Sequence, residues 1–157
     1  MIRQLTDADV GEYRRIRLQG LLQDPSAFMM VYSDWATRPH ADFAARLRTV
    51  TMFAAFEGDR LIGTIGLEDD DTTPDFGWIV EVYMTREFRG RGVSDRLMEY
   101  VLKHQSHQCL CLEVAAANAP ARAFYVGHGF EDRARSLDDQ KAKAGTGCEI
   151  LMTKQMG

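Results

Sequence analysis

The sequence is short of the features that mark secreted, membrane-spanning and metal-stabilised proteins. Its three cysteines are an odd number without metal-ligand spacing, so they indicate neither a disulfide framework nor a zinc site. The longest unbroken apolar run covers residues 27–32, far short of the roughly 20 residues that a membrane helix needs. Residues 1–7 lack the apolar stretch of a signal peptide. We therefore expect a cytoplasmic protein without a membrane segment.

Charge and histidine content argue against two further classes of protein. The 19 basic and 23 acidic residues give a formal net charge of -4, so a protein that coats nucleic acid is not indicated. The four histidines are scattered without a ligand pattern, and we expect no metal. Cys109 and Cys111 alternate with leucines, which would place both thiols on one face of a strand as small buried residues.

Length and composition are typical of one globular domain. A chain of 157 residues with 45% hydrophobic and 27% charged residues can bury enough surface to fold without a disulfide or a metal. No repeat, low-complexity tract or Gly/Ser/Pro linker divides the sequence. These features predict a single domain over residues 1–157.

The apolar pattern predicts a mixed α/β order: a strand, two helices, three strands, a helix, a strand, a helix and two strands. Thr6 and Asp9 resemble a capping box before the first helix, residues 24–26 end that helix, and the acidic run 68–75 indicates a loop. Strand–helix–strand units imply a partly parallel sheet of about seven strands flanked by about four helices. The predicted strands cover residues 2–5, 52–56, 61–67, 76–85, 109–115, 130–135 and 148–154, and the helices contain Tyr13, Phe43, Leu97 and Tyr125.

The sharpest local signal is the segment Arg-Gly-Arg-Gly-Val-Ser at residues 89–94, between a strand and a helix. Two glycines let the backbone turn tightly and approach a ligand, and the amides that open the following helix suit a phosphate. Four arginines fall within residues 86–96 of this acidic chain. The segment has neither the Gly-Lys-Ser/Thr of a Walker loop nor a Gly-x-Gly-x-x-Gly fingerprint. A tight turn decorated with solvated arginines would have the same sequence features.

A second signal follows, where residues 112–118 (Leu-Glu-Val-Ala-Ala-Ala-Asn) lead into residues 123–130 (Ala-Phe-Tyr-Val-Gly-His-Gly-Phe). With both segments the sequence resembles the GCN5-related N-acetyltransferase (GNAT) superfamily, whose members move an acetyl group from acetyl-CoA to an amine. Residues 113–130 look particularly similar to the bacterial enzymes that acetylate the amino terminus of a ribosomal protein. The resemblance implies a GNAT-like fold, acetyl-CoA as co-substrate, an amine acceptor and direct transfer in a ternary complex.

The resemblance also implies which residues bind the cofactor. Backbone groups at the end of the fourth strand would bind the acetyl and pantetheine arm, and the arginine–glycine segment would hold the pyrophosphate. Asn118 would help to position cofactor or substrate, although asparagine is also a good helix cap. Ser94 departs from the Gly or Ala that the family favours, yet it is small enough for the turn. The implied residues are Val82, Tyr83, Met84, Arg89, Gly90, Arg91, Gly92, Val93, Ser94, Asp95 and Asn118.

Two side chains are implied as catalytic. Tyr125 matches the family's general acid, which would protonate the departing thiolate, although the ring could also simply pack. Glu113 matches the proposed general base of the similar peptide acetyltransferases, which would accept the proton of the attacking amine. A charge within the apolar strand of Glu113 needs a reason, and a position at the edge of a cleft, bound to backbone or to an arginine, would be another one. Glu81 on the neighbouring strand is a rival base, and water is the third alternative.

The identity of the acceptor stays open among small amines and a peptide amino terminus, as does a preference for a longer acyl-CoA. The apolar residues Phe28, Met29, Met30, Tyr32 and Trp35 could line an acceptor pocket, but such residues are more often core. The loop 136–147 carries mixed charge and favours no acceptor. A homodimer agrees with the resemblance. A non-catalytic acyl-CoA-binding module is the alternative from another class.

Overall fold

The computed structural model of the chain describes residues 1–24, 32–133 and 149–157 and has a mixed α/β fold. The strands are β1 (Ile2–Gln4), β2 (Thr51–Glu57), β3 (Arg60–Asp69), β4 (Phe76–Met84), β5 (Cys109–Ala115), β6 (Glu131–Arg133) and β7 (Glu149–Gln155). The helices are α1 (Val10–Gln23), α2 (Tyr32–Ala36), α3 (His40–Thr49), α4 (Val93–His104) and α5 (Ala119–Gly127). The sheet has the order β1-β2-β3-β4-β5-β7-β6. The pair β4–β5 is parallel, whereas β1–β2, β2–β3, β5–β7 and β6–β7 are antiparallel. The predicted fold class is therefore confirmed.

Two elements differ from the prediction. The short helix α2 is not predicted, because five residues show too little of a helical period to give a signal. The acidic run forms a loop only beyond Asp69, since β3 continues to that residue. β3 pairs with β2 as far as Leu67. The side chain of the next residue, Glu68, lies 3.4 Å from that of Arg46. Several residues discussed above lie outside the described part of the chain: Pro25, Ser26, Phe28, Met29, Met30, Cys148 and the loop 136–147.

The first of two compact units comprises Met1–Glu68 and Ile79–Gln105. The predicted capping box is present immediately before α1. One face of α1 is buried against α3, where the rings of Tyr13 and Phe43 meet edge to face with centroids 6.2 Å apart. Trp35 of α2 packs on Phe43 at 5.3 Å. These contacts place Trp35 in the core of this unit.

The second unit comprises Asp69–Trp78 and Ser106–Gly157. β5 pairs with β4 on one side and with β7 on the other. Cys109 and Cys111 are buried on β5, as predicted. Burial, and then the adjacent Cys109, raise the pKa of Cys111 to about 12. This sulfur therefore stays a thiol and serves packing. Four further side chains are among the most buried of the unit: Leu110, Leu112, Phe130 and Met152.

Candidate functional site

Two glycines with a left-handed backbone form the turn into α4. Gly90 has a φ of 74°, and Gly92, the N-cap residue of α4, has a φ of 77°. A Cβ at Gly90 would meet no atom within 4 Å, so glycine is needed there for backbone conformation rather than for space. The helix then begins with Val93, Ser94 and Asp95. First-turn N–H groups have no partner within their helix, and they attract an anion.

The arginines before this turn are held by protein groups. Nε of Arg89 donates to the carbonyl of Met84 at 2.9 Å, and its Nη2 lies 3.0 Å from Asp24. Nη2 of Arg86 donates to the carbonyl of Gln23 at 2.6 Å and lies 3.5 Å from Asp24. Burial opposes the ionisation of Asp24, but the two arginines outweigh it and lower the pKa of that carboxyl. No local sequence pattern links Asp24 to Arg89, because the two are 65 residues apart.

The structure brings the turn of Gly90 and Gly92 to the end of β4. The guanidinium of Arg89 lies 5.6 Å from the ring centroid of Tyr83 and also contacts Met84. Tyr83 is buried, and Nε2 of Gln19 donates to its hydroxyl at 3.4 Å. The side chain of Arg89 thus links the predicted pyrophosphate segment to the predicted acetyl-binding residues. Arg91 is exposed, with its guanidinium 5.3 Å from the ring centroid of Phe88.

β4 contains one extra residue just before the predicted acetyl-binding residues. A Cβ at Gly66 of β3 would meet the side chain and the carbonyl of Val80, and further along the N–H of Thr85 donates to the carbonyl of Ile62. Four steps along β3 therefore correspond to five steps along the chain of β4, which is the property of a β-bulge. Within the same stretch Glu81 has a φ of 50°. It is the one non-glycine residue with a left-handed backbone among those that the structure describes.

The carboxylate of Glu81 is enclosed by side chains from α1 and α3. Its Oε1 accepts from the hydroxyl of Tyr13 at 2.7 Å and from Arg17, and its Oε2 accepts from Nε of Arg46 at 2.9 Å. Only 7% of the Glu81 side chain is exposed. Burial, and then the charge of Glu81, raise the pKa of Tyr13, so this phenol stays protonated and donates. Both oxygens of this candidate base therefore serve protein partners.

Tyr13, Arg17 and Arg46 are missed when the sequence is read alone, although one of them carries a signal. Arg17 lies on the buried face of α1 together with Tyr13 and Ile16. An arginine at a core position needs a carboxylate partner, because an unpaired buried charge is costly. The pattern indicates that need but not the partner, since Glu81 is 64 residues further along the chain.

The second unit carries the predicted acid and base. Glu113 is half-buried on β5, opposite Leu151 of β7. Tyr125 lies near the end of α5 and is 7% exposed, with its ring centroid 5.5 Å from that of Phe124 and 6.0 Å from that of Phe130. Burial raises the pKa of Tyr125. Its hydroxyl is therefore protonated at neutral pH.

Asn118 is the N-cap of α5. Its Oδ1 accepts from the backbone N–H of Ala121 at 3.3 Å, which confirms the capping interpretation. The cap uses the side-chain carbonyl and does not consume the Nδ2 donors. One nine-residue helix and its cap thus carry both Asn118 and Tyr125 directly after the strand of Glu113.

The described residues form neither a cluster of metal ligands nor a helix fit to span a membrane. Within residues 1–24, 32–133 and 149–157, no group of three or more His, Cys, Asp or Glu side chains is placed to hold a metal ion. Across those ranges, no helix combines the length and the apolar character that crossing a membrane requires.

Known proteins similar to this chain are acetyltransferases. The Acetyltransferase (GNAT) family matches residues 17–130. N-alpha-acetyltransferase 30 of Schizosaccharomyces pombe is 31% identical over 83 residues, which are 50% of this chain and 55% of that protein. The chain thus spans about half the length of this curated relative.

Solved structures resemble the chain over its full length. PaiA N-acetyltransferase from Thermoplasma acidophilum, in complex with coenzyme A, has a TM-score of 0.75 at 16% identity and covers 99% of this chain and 98% of its own. Ribosomal-protein-alanine N-acetyltransferase from Brucella melitensis has a TM-score of 0.73 at 17% identity, covering 99% of both chains. At this level of identity the likeness shows a shared fold.

Proposed function

Since the chain belongs to the GNAT family of acetyltransferases, we propose that it moves the acetyl group of acetyl-CoA directly to a primary amine within a ternary complex. The observation that carries the proposal is the left-handed turn of Gly90 and Gly92 into α4, joined to the end of β4 by Arg89. The amides of such a turn suit a pyrophosphate. A single acetyl-CoA-binding domain over residues 1–157 is part of the proposal.

The pyrophosphate would be bound mainly by backbone N–H groups of residues 90–95. Arg89 is engaged with Met84 and Asp24, so its proposed contribution is to hold the turn against β4, while the exposed Arg91 adds charge. Backbone groups of Val82, Tyr83 and Met84 would bind the pantetheine arm. One of their N–H groups would donate to the thioester oxygen as negative charge develops there.

The proposed transfer needs a base and an acid. An amine with a pKa near ~10 is mostly protonated at neutral pH, so Glu113 would first take a proton from it, directly or through water. The amine lone pair then forms a bond to the thioester carbon, the nitrogen releases its second proton to water, and the carbon–sulfur bond breaks. Tyr125 would give its proton to the departing thiolate and then regain one from water.

The acceptor is proposed to be a small amine or a peptide. A dedicated protein amino-terminal acetyltransferase is the second candidate, favoured by the match to N-alpha-acetyltransferase 30 and by the likeness to a ribosomal-protein-alanine N-acetyltransferase. We further propose that the protein acts in the cytoplasm and without nucleic acid. A homodimer is the oligomeric state that the family resemblance supports.

Acetyl-CoA binding by calorimetry, followed in the same samples by thiol release across small amines and peptide amino termini, tests the proposal. We expect binding, and turnover with at least one acceptor. Tyr125→Phe should bind acetyl-CoA like the wild type but turn over about 10²–10⁴-fold more slowly. Tyr100→Phe, which removes a hydroxyl from the half-buried Tyr100 of α4, is the matched control and should keep the wild-type rate.

Three other results would change the conclusion. Binding without thiol release for any acceptor would indicate a non-catalytic acyl-CoA-binding module. Equal turnover by wild type and Tyr125→Phe would remove Tyr125 from the role of acid. Folded protein that binds neither acetyl-CoA, CoA nor a longer acyl-CoA would contradict the proposed function.

A further inference from the structure

The backbone of Glu81 has a conformation that is unfavourable for any residue with a Cβ. Its φ is 50° within β4, and a residue in such a conformation persists only where its surroundings enforce it. On the β3 side of the bulge, the hydroxyl of Thr64 donates to the Glu81 carbonyl at 2.9 Å. Backbone pairing with β3 resumes after the bulge, where the N–H of Thr85 donates to the carbonyl of Ile62 at 2.9 Å.

The side chain of Glu81 is what ties this conformation to the rest of the first unit. Tyr13 and Arg17 reach it from α1, and Arg46 reaches it from α3. Arg46 also lies 3.4 Å from Glu68, so two cations face two carboxylates and the cluster is balanced in charge. Burial would lower the pKa of Arg46, but the carboxylates raise it. Breaking such a buried group is costly because the charge left behind loses its partner.

We infer that Glu81 is a positioning residue, whose carboxylate anchors the bulge of β4 to α1 and α3 and so fixes the backbone of residues 82–84 for acetyl-CoA. The inference rests on the proposed function, which gives residues 82–84 their use. Because both oxygens of Glu81 serve protein donors, Glu81 acts through the backbone of its neighbours. Tyr13, Arg17 and Arg46 act on the same backbone through Glu81.

Two substitutions test the inference. Tyr13→Phe removes one hydrogen bond to Glu81 with little change in volume, so this variant should fold. We expect it to lose about tenfold in kcat/KM for acetyl-CoA. Glu81→Gln removes the charge that faces the two arginines, and we expect a larger loss, about 100-fold. In both variants the dependence of the rate on pH should keep its wild-type shape, since neither removes the base.

A second measurement does not need turnover. Amide hydrogen exchange at residues 82–84, followed by NMR in the unliganded protein, should become faster in both variants. Arg48→Gln is the matched control, because Arg48 is also on α3 but its side chain is 65% exposed and pairs only at 3.9 Å with Asp7. That control should leave both the rate and the exchange unchanged. The double variant Tyr13→Phe/Glu81→Gln should be about as slow as Glu81→Gln alone, because the two groups act as one unit.

The inference is overturned by either of two results. One is wild-type exchange at residues 82–84 together with wild-type kcat/KM in Tyr13→Phe. The other is loss of the pH dependence in Glu81→Gln, which is the mark of a general base. If the wild-type protein does not bind acetyl-CoA at all, the proposed function fails, while the exchange measurement still decides whether Glu81 positions residues 82–84.

Discussion

Among single residues, the two carboxylates that could serve as general base have contrasting surroundings. Glu81 is 7% exposed and accepts from three side chains of its own unit. Glu113 is half-buried in the second unit, on the strand that precedes α5. A base must have an oxygen within reach of the substrate proton. The engagement of both Glu81 oxygens by protein donors therefore argues against Glu81 as the base.

Glu113→Gln is expected to lower kcat about 10²–10⁴-fold at neutral pH and to abolish the rise of the rate with pH, because the amide cannot accept the amine proton. Thiol release at saturating acetyl-CoA, measured across the neutral range, checks this. Glu131→Gln on the exposed strand β6 is the control and should behave like the wild type. An unchanged pH profile in Glu113→Gln would indicate that water, not Glu113, accepts the proton of the amine.

The carboxylate of Asp9 is expected to stabilise the fold in a way that depends on pH. Hydrogen bonds from Arg3, opposed by burial and assisted by the N–H of Thr6, lower its pKa to about 2. A carboxyl with a lowered pKa stabilises the fold fully above its unfolded value near pH ~4 and loses that contribution as the pH falls through about 2. Asp9→Asn should therefore cost about 1 kcal/mol at neutral pH.

Urea unfolding of wild type and Asp9→Asn at several pH values measures this difference, which should shrink in acid. Asp7→Asn in the same turn is the control, since the side chain of Asp7 is 75% exposed and lies 3.9 Å from Arg48. Its effect should stay within about 0.5 kcal/mol. A difference for Asp9→Asn that does not change with pH would contradict the ion-pair explanation.

Among the elements, α4 depends most on the conformation of single backbone positions. Its buried residues Leu97, Met98 and Val101 repeat at helical spacing, and this pattern favours a helix regardless of the residues before it. The left-handed φ of Gly90 and Gly92 sets the direction of the first turn of α4. The proposed pyrophosphate site therefore depends on the turn more than on the helix.

Gly92→Ala is expected to reduce stability by about 1–2 kcal/mol and to weaken acetyl-CoA binding, because a Cβ is strained at a φ of 77°. The space is sufficient, since the new Cβ would lie 3.5 Å from Nη1 of Arg96. Urea unfolding and calorimetry measure the two effects. Gly11→Ala in α1, where a Cβ would meet nothing within 4 Å, should instead add about 0.5–1 kcal/mol of stability. Unaltered acetyl-CoA binding by Gly92→Ala would show that this turn does not contribute to cofactor binding.

For the protein as a whole, a ligand that binds only the native state stabilises it by mass action. Acetyl-CoA at 100 times its Kd should add about 2.7 kcal/mol, or roughly 5–10 °C in Tm for a chain of this size. A thermal shift series in acetyl-CoA checks this. Arg89→Ala/Arg91→Ala should require more acetyl-CoA for the same shift, because charge and the anchor of the turn are lost. An unchanged Tm at all concentrations would contradict binding.

The mixed α/β class, the order of strands and helices, and the glycine turn before α4 are all readable in the sequence. Each depends only on residues close together in the sequence: the apolar run of β5, the helical spacing of α4, and the need for glycine at positive φ. Cys109 and Cys111 are predictable as buried residues for the same reason. Helix α2 and the last residues of β3 are not predictable from the sequence, because each segment is too short to show a clear helical or strand period.

The partners of the charged residues depend on the tertiary structure. Arg89 meets Asp24, which is 65 residues away, and Tyr13 meets Glu81, which is 68 residues away. A sequence shows that a buried charge needs a counter-ion, but the choice among 19 basic and 23 acidic residues is made by which elements pack together. Tertiary packing thus places the predicted phosphate-binding Arg89 against Met84 and Asp24. It places the rival base Glu81 against Tyr13, Arg17 and Arg46.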